Sequence, residues 1–136
     1  LPLQHAGAIV NANALRIEWS DVLQIGKMDE AYIMGNPPYL GSSLQDDGQK
    51  HDMEYVFGNT NSGYKKLDYI AAFFEKGASF IARTQGQIGF VSTNSVCEGE
   101  QVALLWKSLL KKVEISFAHT SFKWQNNAKS NRFYKE

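Results

Sequence analysis

The sequence has one cysteine, three prolines and no excess of either charge, and these shortages exclude several classes of protein. Because Cys97 is the only cysteine, the chain cannot form an intrachain disulfide, which suits a reducing cytoplasm. We expect its thiol to be a small buried hydrophobe. Fourteen basic and fourteen acidic residues cancel, so no overall field attracts nucleic acid or an anionic membrane. Any contact with a polyanion must therefore be local.

Long apolar runs are also missing. No run approaches the roughly 18 residues of a membrane-spanning helix, and the N-terminus has no signal-peptide pattern. We therefore predict a soluble, cytoplasmic protein with no membrane partner. Its 136 residues, 43% of them apolar, suffice for one domain with a core. The chain begins at Leu1 rather than Met and has no closing helix, so we expect it to be part of a longer polypeptide.

Several kinds of catalytic site have no signature in the sequence. No Cys/His group has metal-ligand spacing, no glycine-rich loop is of the phosphate-binding type, and no serine lies in a nucleophile elbow. Asp46, Asp47 and Asp52 lack the spacing of a metal-binding loop, so we expect them to face solvent. The chemistry must therefore rest on binding and orientation.

Short apolar runs and helical periodicities alternate along the chain. Strands are predicted at Ala8 to Asn11, Ala31 to Met34, Ile88 to Ser92 and residues 113–119. Helices are predicted in "QKHDMEYVF", "KLDYIAAFFEKGASFIAR" and "EGEQVALLWKSLLKK". Their inward faces contain Met53, Val56 and Phe57; Leu67, Ile70, Ala71, Phe74, Ala78 and Ile81; and Val102, Leu105, Trp106, Leu109 and Leu110. This order predicts an α/β protein with a largely parallel sheet, in which residues 31–34 are buried on both faces.

Polar or turn-forming residues follow each predicted strand. They are "NAN", "GNPPY", "STNS" and "HTSFKW". Because the carboxyl ends of strands line the ligand crevice of an open α/β sheet, these four segments are expected to converge on one site. Asn94 and Ser95 would border the crevice and support the "NPPY" loop.

The segment "GNPPY" holds two of the three prolines. Pro37 fixes its own backbone torsion and biases Asn36 toward an extended conformation, and the two prolines remove two amide donors. The result is a rigid acceptor surface made by the Asn36 side-chain oxygen and the Pro37 carbonyl, with the ring of Tyr39 beside them. A rigid turn without function is the alternative interpretation.

This motif resembles the catalytic motif of amino-methyltransferases that use S-adenosylmethionine. Further stretches are similar to consecutive blocks of the MmeI-like adenine-specific DNA methyltransferases of fused restriction-modification enzymes. They are "NANALRIEW", "LDYIAAFFEKGASFI", "GFVSTNSVCEGEQVALLW" and "FAHTSFKWQNNAK". The resemblance implies a Rossmann-like methyltransferase sheet with helices on its faces. It also implies that residues 1–136 are a partial catalytic domain, from the third strand onward, without the first two strands.

The resemblance also assigns roles to residues. Asn36 and the Pro37 carbonyl would accept hydrogen bonds from the exocyclic amine of an adenine in double-stranded DNA, with Pro38 stiffening the loop. The adenine would be flipped out of the duplex and stacked on Tyr39, and Phe122 would close its other face.

For the cofactor, the resemblance places S-adenosylmethionine next to Asn13 and Ala14. The glycine-rich segment and the acidic residue with which this family holds the cofactor are absent from the sequence. We therefore expect the chain alone neither to bind S-adenosylmethionine tightly nor to methylate DNA.

Two other hypotheses remain. The same motif occurs in enzymes that methylate glutamine side chains of proteins or adenines of RNA, although Phe122 and the "GEQVALLW" block favour DNA. A degenerate, non-catalytic remnant that contacts DNA or protein is the hypothesis of a different class.

Overall fold

The computed structural model describes residues 9–58, 62–82, 84–119 and 121–122. Within these ranges the helices and strands are α1 (Trp19–Val22), β1 (Tyr32–Gly35), α2 (Asp47–Phe57), α3 (Ile70–Ile81), β2 (Gln87–Phe90) and α4 (Gln101–Leu109). Short 3-10 helices occur at Ser42–Leu44, Tyr64–Lys66 and Asn94–Cys97. None of the helices in the described ranges is long and apolar enough to cross a membrane. The predicted mixture of helices and strands is confirmed.

The two strands pair in parallel. Tyr32 lies opposite Gln87 and Gly35 opposite Phe90. A parallel pair needs a crossover connection, and the chain between the strands supplies it with α2 and α3. The parallel arrangement predicted for these two runs is therefore confirmed.

Only one face of β1 is covered by the described residues. Tyr32 and Met34 remain 61% and 83% exposed, whereas Ile33 between them is half-buried. Successive side chains of a strand point to opposite faces, and α3 packs against the face that holds Ile88 and Phe90 of the neighbouring strand. The prediction that residues 31–34 are buried on both faces is wrong for the described residues.

Helix α3 is the centre of the core. Its buried residues are Ile70, Ala71, Ala72, Glu75, Gly77, Ala78 and Ile81, and Leu67 just before it is also buried. Of its predicted inward face, only Phe74 is half-buried, where its ring meets Phe90 edge-on. At Gly77, a Cβ would lie 3.1 Å from Cδ1 of Ile88. Glycine thus lets the helix approach β2 closely, which compensates its low helix propensity.

Helix α2 begins with a capping box. Asp46 accepts a hydrogen bond from the Gln49 amide at 2.8 Å, and the Gln49 side chain accepts one from the Asp46 amide at 3.0 Å. These bonds satisfy amides that would otherwise lack partners at the helix start. Met53 and Phe57 are fully buried, as predicted, and Val56 is half-buried.

Helix α4 buries a narrower stripe than its periodicity predicts. Leu105 and Leu109 are buried and Trp106 packs against the core, but Val102 and Leu110 are 36% and 54% exposed. The inward placement predicted for the last two is therefore wrong. Helix α4 packs on α3 and on the short helix Asn94–Cys97, and within the described residues this contact buries only Leu105 and Leu109 of α4.

Two predicted strands are not formed by the described residues. Residues 9–11 and 113–119 belong to no strand, and Ala8 lies outside the described ranges. Because a strand requires hydrogen bonds to a neighbouring strand, an apolar run without such a neighbour stays irregular. Cys97 is exposed, not buried, because its neighbour Val96 takes the inward position of the short helix Asn94–Cys97.

Candidate functional site

The carboxyl ends of β1 and β2 lie side by side. Gly35 is paired with Phe90, and the next amide, of Val91, donates a hydrogen bond to the Gly35 carbonyl at 3.1 Å. The segments that follow the two strands, 36–41 and 91–97, therefore begin next to each other, at the carboxyl-terminal end of the sheet. For these two strands the predicted convergence is confirmed.

In the motif that follows β1, one proline faces inward and the polar and aromatic groups face outward. Pro37 is buried, whereas Asn36, Pro38 and Tyr39 are exposed, Tyr39 by 43%. Among the described residues the side-chain amide of Asn36 has no hydrogen-bond partner, so its Oδ1 and Nδ2 atoms are both available to bind a ligand. The loop thus presents an amide and a ring from an anchored backbone.

Asp68 anchors the end of this loop. Its Oδ1 accepts hydrogen bonds from the backbone amides of Leu40 at 2.8 Å and Ile70 at 3.3 Å. Its Oδ2 accepts one from the Ser95 hydroxyl at 3.1 Å. Only 5% of Asp68 is exposed, so these bonds compensate its burial. One carboxylate therefore joins the loop after β1, the start of α3 and the segment after β2.

The Leu40 carbonyl is held as firmly as its amide. It accepts hydrogen bonds from the Tyr69 amide at 2.9 Å and from Nε2 of Gln45 at 3.1 Å. The same Gln45 amide donates to the Leu67 carbonyl at 3.0 Å, and Gln45 is buried. Both polar backbone groups of Leu40 are thus fixed from outside the loop.

The segment of Asn13 and Ala14 has a compact turn. Oδ1 of Asn13 accepts a hydrogen bond from the Leu15 amide at 2.9 Å, the pattern of an Asx turn. The Ala14 carbonyl accepts one from the Trp19 indole at 2.8 Å. Leu15 is fully buried, so the turn is attached to the core while Asn13 remains exposed.

Asp52 connects that turn to the helices. Its carboxylate accepts hydrogen bonds from Nδ2 of Asn13 at 2.9 Å, Nε of Arg16 at 2.5 Å and the Tyr69 hydroxyl at 2.6 Å. The prediction that Asp52 faces solvent is wrong: it is 6% exposed, on the buried side of α2 with Met53. Burial alone would raise the pKa of Asp52, but the hydrogen bonds from Tyr69, Arg16 and Asn13 outweigh it and lower this pKa.

In the segment after β2, Ser95 and Asn94 form hydrogen bonds with different parts of the chain. The support of the "NPPY" loop predicted for Ser95 is confirmed through its bond to Asp68. Asn94 instead accepts a hydrogen bond from the Ser121 hydroxyl at 2.5 Å. This bond brings residue 121, and with it the neighbouring Phe122, to the carboxyl end of β2. Phe122 is 60% exposed and lies edge-on to the His119 ring.

Sequence reasoning did not identify Asp68, Gln45 or Asp52 as residues that hold the site together. Asp68 has a recognisable signal, because an acidic residue just before an apolar helical run is typical of a helix start. Its bonds to Leu40 and Ser95 have no such signal, since they join segments distant in sequence. Within the described residues, no group of His, Cys, Asp and Glu side chains is placed to hold a metal ion.

Comparison with known proteins is consistent across sequence and structure. The profile of a family described as "MmeI, DNA-methyltransferase domain" matches residues 1–133. A relative named DNA methyltransferase A, from Bacillus subtilis (strain 168), is 51% identical over 132 residues. These cover 96% of this chain and 15% of that protein.

A solved structure of the Type IIL restriction-modification enzyme MmeI in complex with DNA is also similar. It superposes with a TM-score of 0.83 and 44% identity, covering 94% of this chain and 17% of that one. The chain therefore spans about a sixth of each of these two longer proteins.

Proposed function

Since this chain belongs to the MmeI DNA-methyltransferase domain family, we propose that the protein containing it methylates adenine in DNA, with S-adenosylmethionine as the methyl donor. The methyl group would be transferred from the sulfonium sulfur to the exocyclic amine of an adenine within a specific site. The carbon–sulfur bond would break as the carbon–nitrogen bond forms, S-adenosylhomocysteine would leave, and the amine would lose one proton to solvent. The single observation that carries this proposal is the loop after β1, in which Asn36 and Tyr39 are exposed while Pro37 and Leu40 hold the backbone.

The loop offers the groups that such a reaction requires. The Asn36 side-chain oxygen and the Pro37 carbonyl accept the two amine hydrogens of the adenine. With both hydrogens engaged, the lone pair of the nitrogen is directed away from the acceptors and toward the methyl donor. Holding the two reactants in line can contribute about 7 to 11 kcal/mol at best, and needs no acid, base or metal.

The target base must leave the duplex to reach these acceptors. An exocyclic amine inside a stacked, paired duplex is inaccessible, so the nucleotide is flipped out and held between flat side chains. Tyr39 provides one face, and Phe122, at the carboxyl end of β2, provides the other. Stacking on an aromatic ring contributes about 1 to 3 kcal/mol per base.

S-adenosylmethionine supplies an electrophilic methyl group when bound. Of the described residues, Asn13 and Ala14 suit its adenosine end, because the turn is exposed yet tied to the core. One hydrogen of the Asn13 amide is used by Asp52, which leaves the second for a ligand. The chain has no glycine-rich segment for the methionine end, and the acidic residue for the ribose is absent as well.

We propose that further parts of the polypeptide supply these groups. The chain spans 15% of DNA methyltransferase A and 17% of the MmeI chain. Residues 1–136 would then be the part of a Rossmann-like catalytic domain from its third strand onward, inactive alone, within a restriction-modification enzyme. The exposed face of β1 at Tyr32 and Met34 suits a sheet that is covered by other parts of the same protein.

The choice of DNA as acceptor rests on the relatives. One is named a DNA methyltransferase, and the other was solved in complex with DNA. A protein glutamine or an RNA adenine would present a similar amide or amine to Asn36. The two relatives favour DNA over both of these acceptors.

The test is methyl transfer by the full-length protein from radiolabelled S-adenosylmethionine. Duplex DNA, single-stranded RNA and a glutamine-rich protein mixture are offered in parallel, and methylated products are identified by mass spectrometry. The proposal requires N6-methyladenine in DNA, formed about tenfold to a hundredfold more slowly by Asn36→Ala. If the radiolabelled methyl group is found only in RNA or only in protein, that molecule is the acceptor and the proposal of DNA is wrong. If none of the three substrates is labelled, the result favours a non-catalytic remnant.

A further inference from the structure

Asp68 and Tyr69, the two residues immediately before α3, bind two different parts of the site. The Asp68 carboxylate holds the Leu40 amide, at the end of the loop that follows β1. The Tyr69 hydroxyl holds Asp52, which in turn holds Asn13. The Tyr69 backbone amide also donates to the Leu40 carbonyl, so the second residue contacts both parts.

The contacts of Asp68 and Tyr69 are shielded from water. Asp68, Tyr69 and Asp52 are each 6% exposed or less. Buried hydrogen bonds to a carboxylate are stronger and less mobile than those at a surface. Burial, and then the hydrogen bond to Asp52, raise the pKa of Tyr69 well above its ordinary value, so its hydroxyl stays a proton donor at physiological pH.

The two held segments have a common foundation in the core. Helix α3 begins at Ile70, which is fully buried, as are Ala71 and Ala72 after it. The residues immediately before such a helix have little freedom to move. Both segments are therefore attached to the buried start of α3, by two residues that are adjacent in sequence.

We propose that Asp68 and Tyr69 are positioning residues that set the loop of Asn36 and Tyr39 in register with the turn of Asn13 and Ala14. This inference rests on the proposed function, in which the first segment holds the target base and the second holds the cofactor. In-line transfer requires both reactants within a small tolerance, so a shift of either segment reduces turnover more than binding. Neither residue touches a reactant.

The first experiment measures kinetics of the full-length protein on duplex DNA. Tyr69→Phe removes the bond to Asp52 while keeping the ring, and Asp68→Ala removes the anchor of Leu40. Each is expected to lower kcat by about tenfold to a hundredfold, the equivalent of one or two hydrogen bonds to a charged group, with KM for DNA changed by less than about threefold. Asp68→Asn retains one acceptor oxygen for the Leu40 amide and is expected to recover most of the lost turnover.

Two control variants distinguish a loss of positioning from a general loss of folding stability. Tyr64→Phe removes a hydroxyl from another buried tyrosine, whose ring stacks on Phe57. Asp47→Ala removes a carboxylate that is 97% exposed. Both controls should retain the kcat of the wild type. A fall in kcat of the controls equal to that of the test variants would overturn the positioning role.

The second experiment does not depend on activity. Hydrogen exchange is measured by mass spectrometry on peptides that cover residues 11–17 and 36–41 of the full-length protein. If Asp68 and Tyr69 fix the two segments relative to each other, Tyr69→Phe accelerates hydrogen exchange in peptide 36–41 as well as in peptide 11–17. Asp68→Ala likewise accelerates exchange in 11–17 as well as in 36–41, while the two controls change neither peptide.

The outcomes distinguish this inference from the proposed function. If the wild type transfers no methyl group, the proposed function fails, and the exchange of the two peptides still decides whether they are coupled. If the wild type is active but each variant accelerates only its own peptide, the coupling is wrong and the proposed function stands. Unchanged kcat in both Tyr69→Phe and Asp68→Ala also overturns the inference.

Discussion

The hydroxyl of Tyr69 donates a 2.6 Å hydrogen bond to the carboxylate of Asp52, which joins the start of α3 to the middle of α2. The same carboxylate forms an ion pair with Arg16, at 2.5 Å. Asp52 thus holds together three segments that are far apart in sequence. Its ionised form is the one that accepts all of these bonds, which makes the arrangement sensitive to acid.

Asp52 provides a prediction for the pH dependence of stability. Its pKa is lowered in the folded protein, so its contribution is fully present above the unfolded value of about 3.9 and is lost as pH falls through the folded value. Asp52→Asn should lower the free energy of unfolding by about 1 to 3 kcal/mol at pH 7. The difference between variant and wild type should shrink below about pH 4. Denaturant unfolding at pH 7 and pH 3 measures this, and an equal difference at both values would contradict it.

Asn36 provides a prediction for catalysis without a stability cost. Asn36→Ala should lower kcat by about tenfold to a hundredfold, because one of the two acceptors proposed for the adenine amine is lost. Asn36→Asp retains a side-chain oxygen and should be less impaired. Since Asn36 is exposed, unfolding should be unchanged. Gln24→Ala, at another exposed amide, is the control, and steady-state methyl transfer to duplex DNA is the measurement.

Tyr39 provides a prediction for the flipped base. Tyr39→Phe keeps the flat ring and should retain base stacking, whereas Tyr39→Ala should weaken binding of the flipped base by about 1 to 3 kcal/mol. The fluorescence of 2-aminopurine at the target position, which rises when the base leaves the stack, reports the flipped population. Equal fluorescence with Tyr39→Phe and Tyr39→Ala would show that the ring does not hold the base.

Gly86 provides a prediction for the sheet. A Cβ at this position would lie 2.7 Å from Oγ1 of Thr84 and 2.9 Å from the Ala31 carbonyl, just before the two paired strands begin. Gly86→Ala should therefore destabilise the protein by about 1 to 3 kcal/mol. Gly89→Ala, in β2 itself, meets nothing within 4 Å and should be neutral or slightly stabilising. Thermal unfolding of the two variants compares them, and similar melting temperatures would contradict the clash.

Helical periodicity was sufficient to predict α3 and the inward face of α2, because burial on one side of a helix leaves a regular pattern in sequence. It overestimated the buried face of α4, because Val102 and Leu110 follow the period yet are 36% and 54% exposed. The strand predicted at residues 113–119 is not formed, because pairing depends on a neighbouring strand, which the local sequence pattern does not reveal.

The candidate site was predictable only where its chemistry is local. The rigid loop at Pro37 follows from the prolines themselves. The burial of Asp52 does not, because a single acidic residue in a polar segment has the same local appearance whether it faces solvent or a set of donors. Three long-range hydrogen bonds decide its position, and none of them has a sequence period.

Gly77 has a consequence beyond its own surroundings. It sets the spacing between the α3 axis and the sheet, where Cδ1 of Ile88 leaves little room for a Cβ. Asp68 lies roughly two and a half turns toward the helix start, about 13 Å away at 1.5 Å per residue. A residue bulkier than alanine at 77 would either push the Ile88 side chain aside or move α3 away from β2, and in the second case Asp68 would move with the helix. A change at residue 77 that moves α3 would thus reach the loop of Asn36 and Tyr39 and the turn of Asn13 and Ala14 through Asp68 and Tyr69.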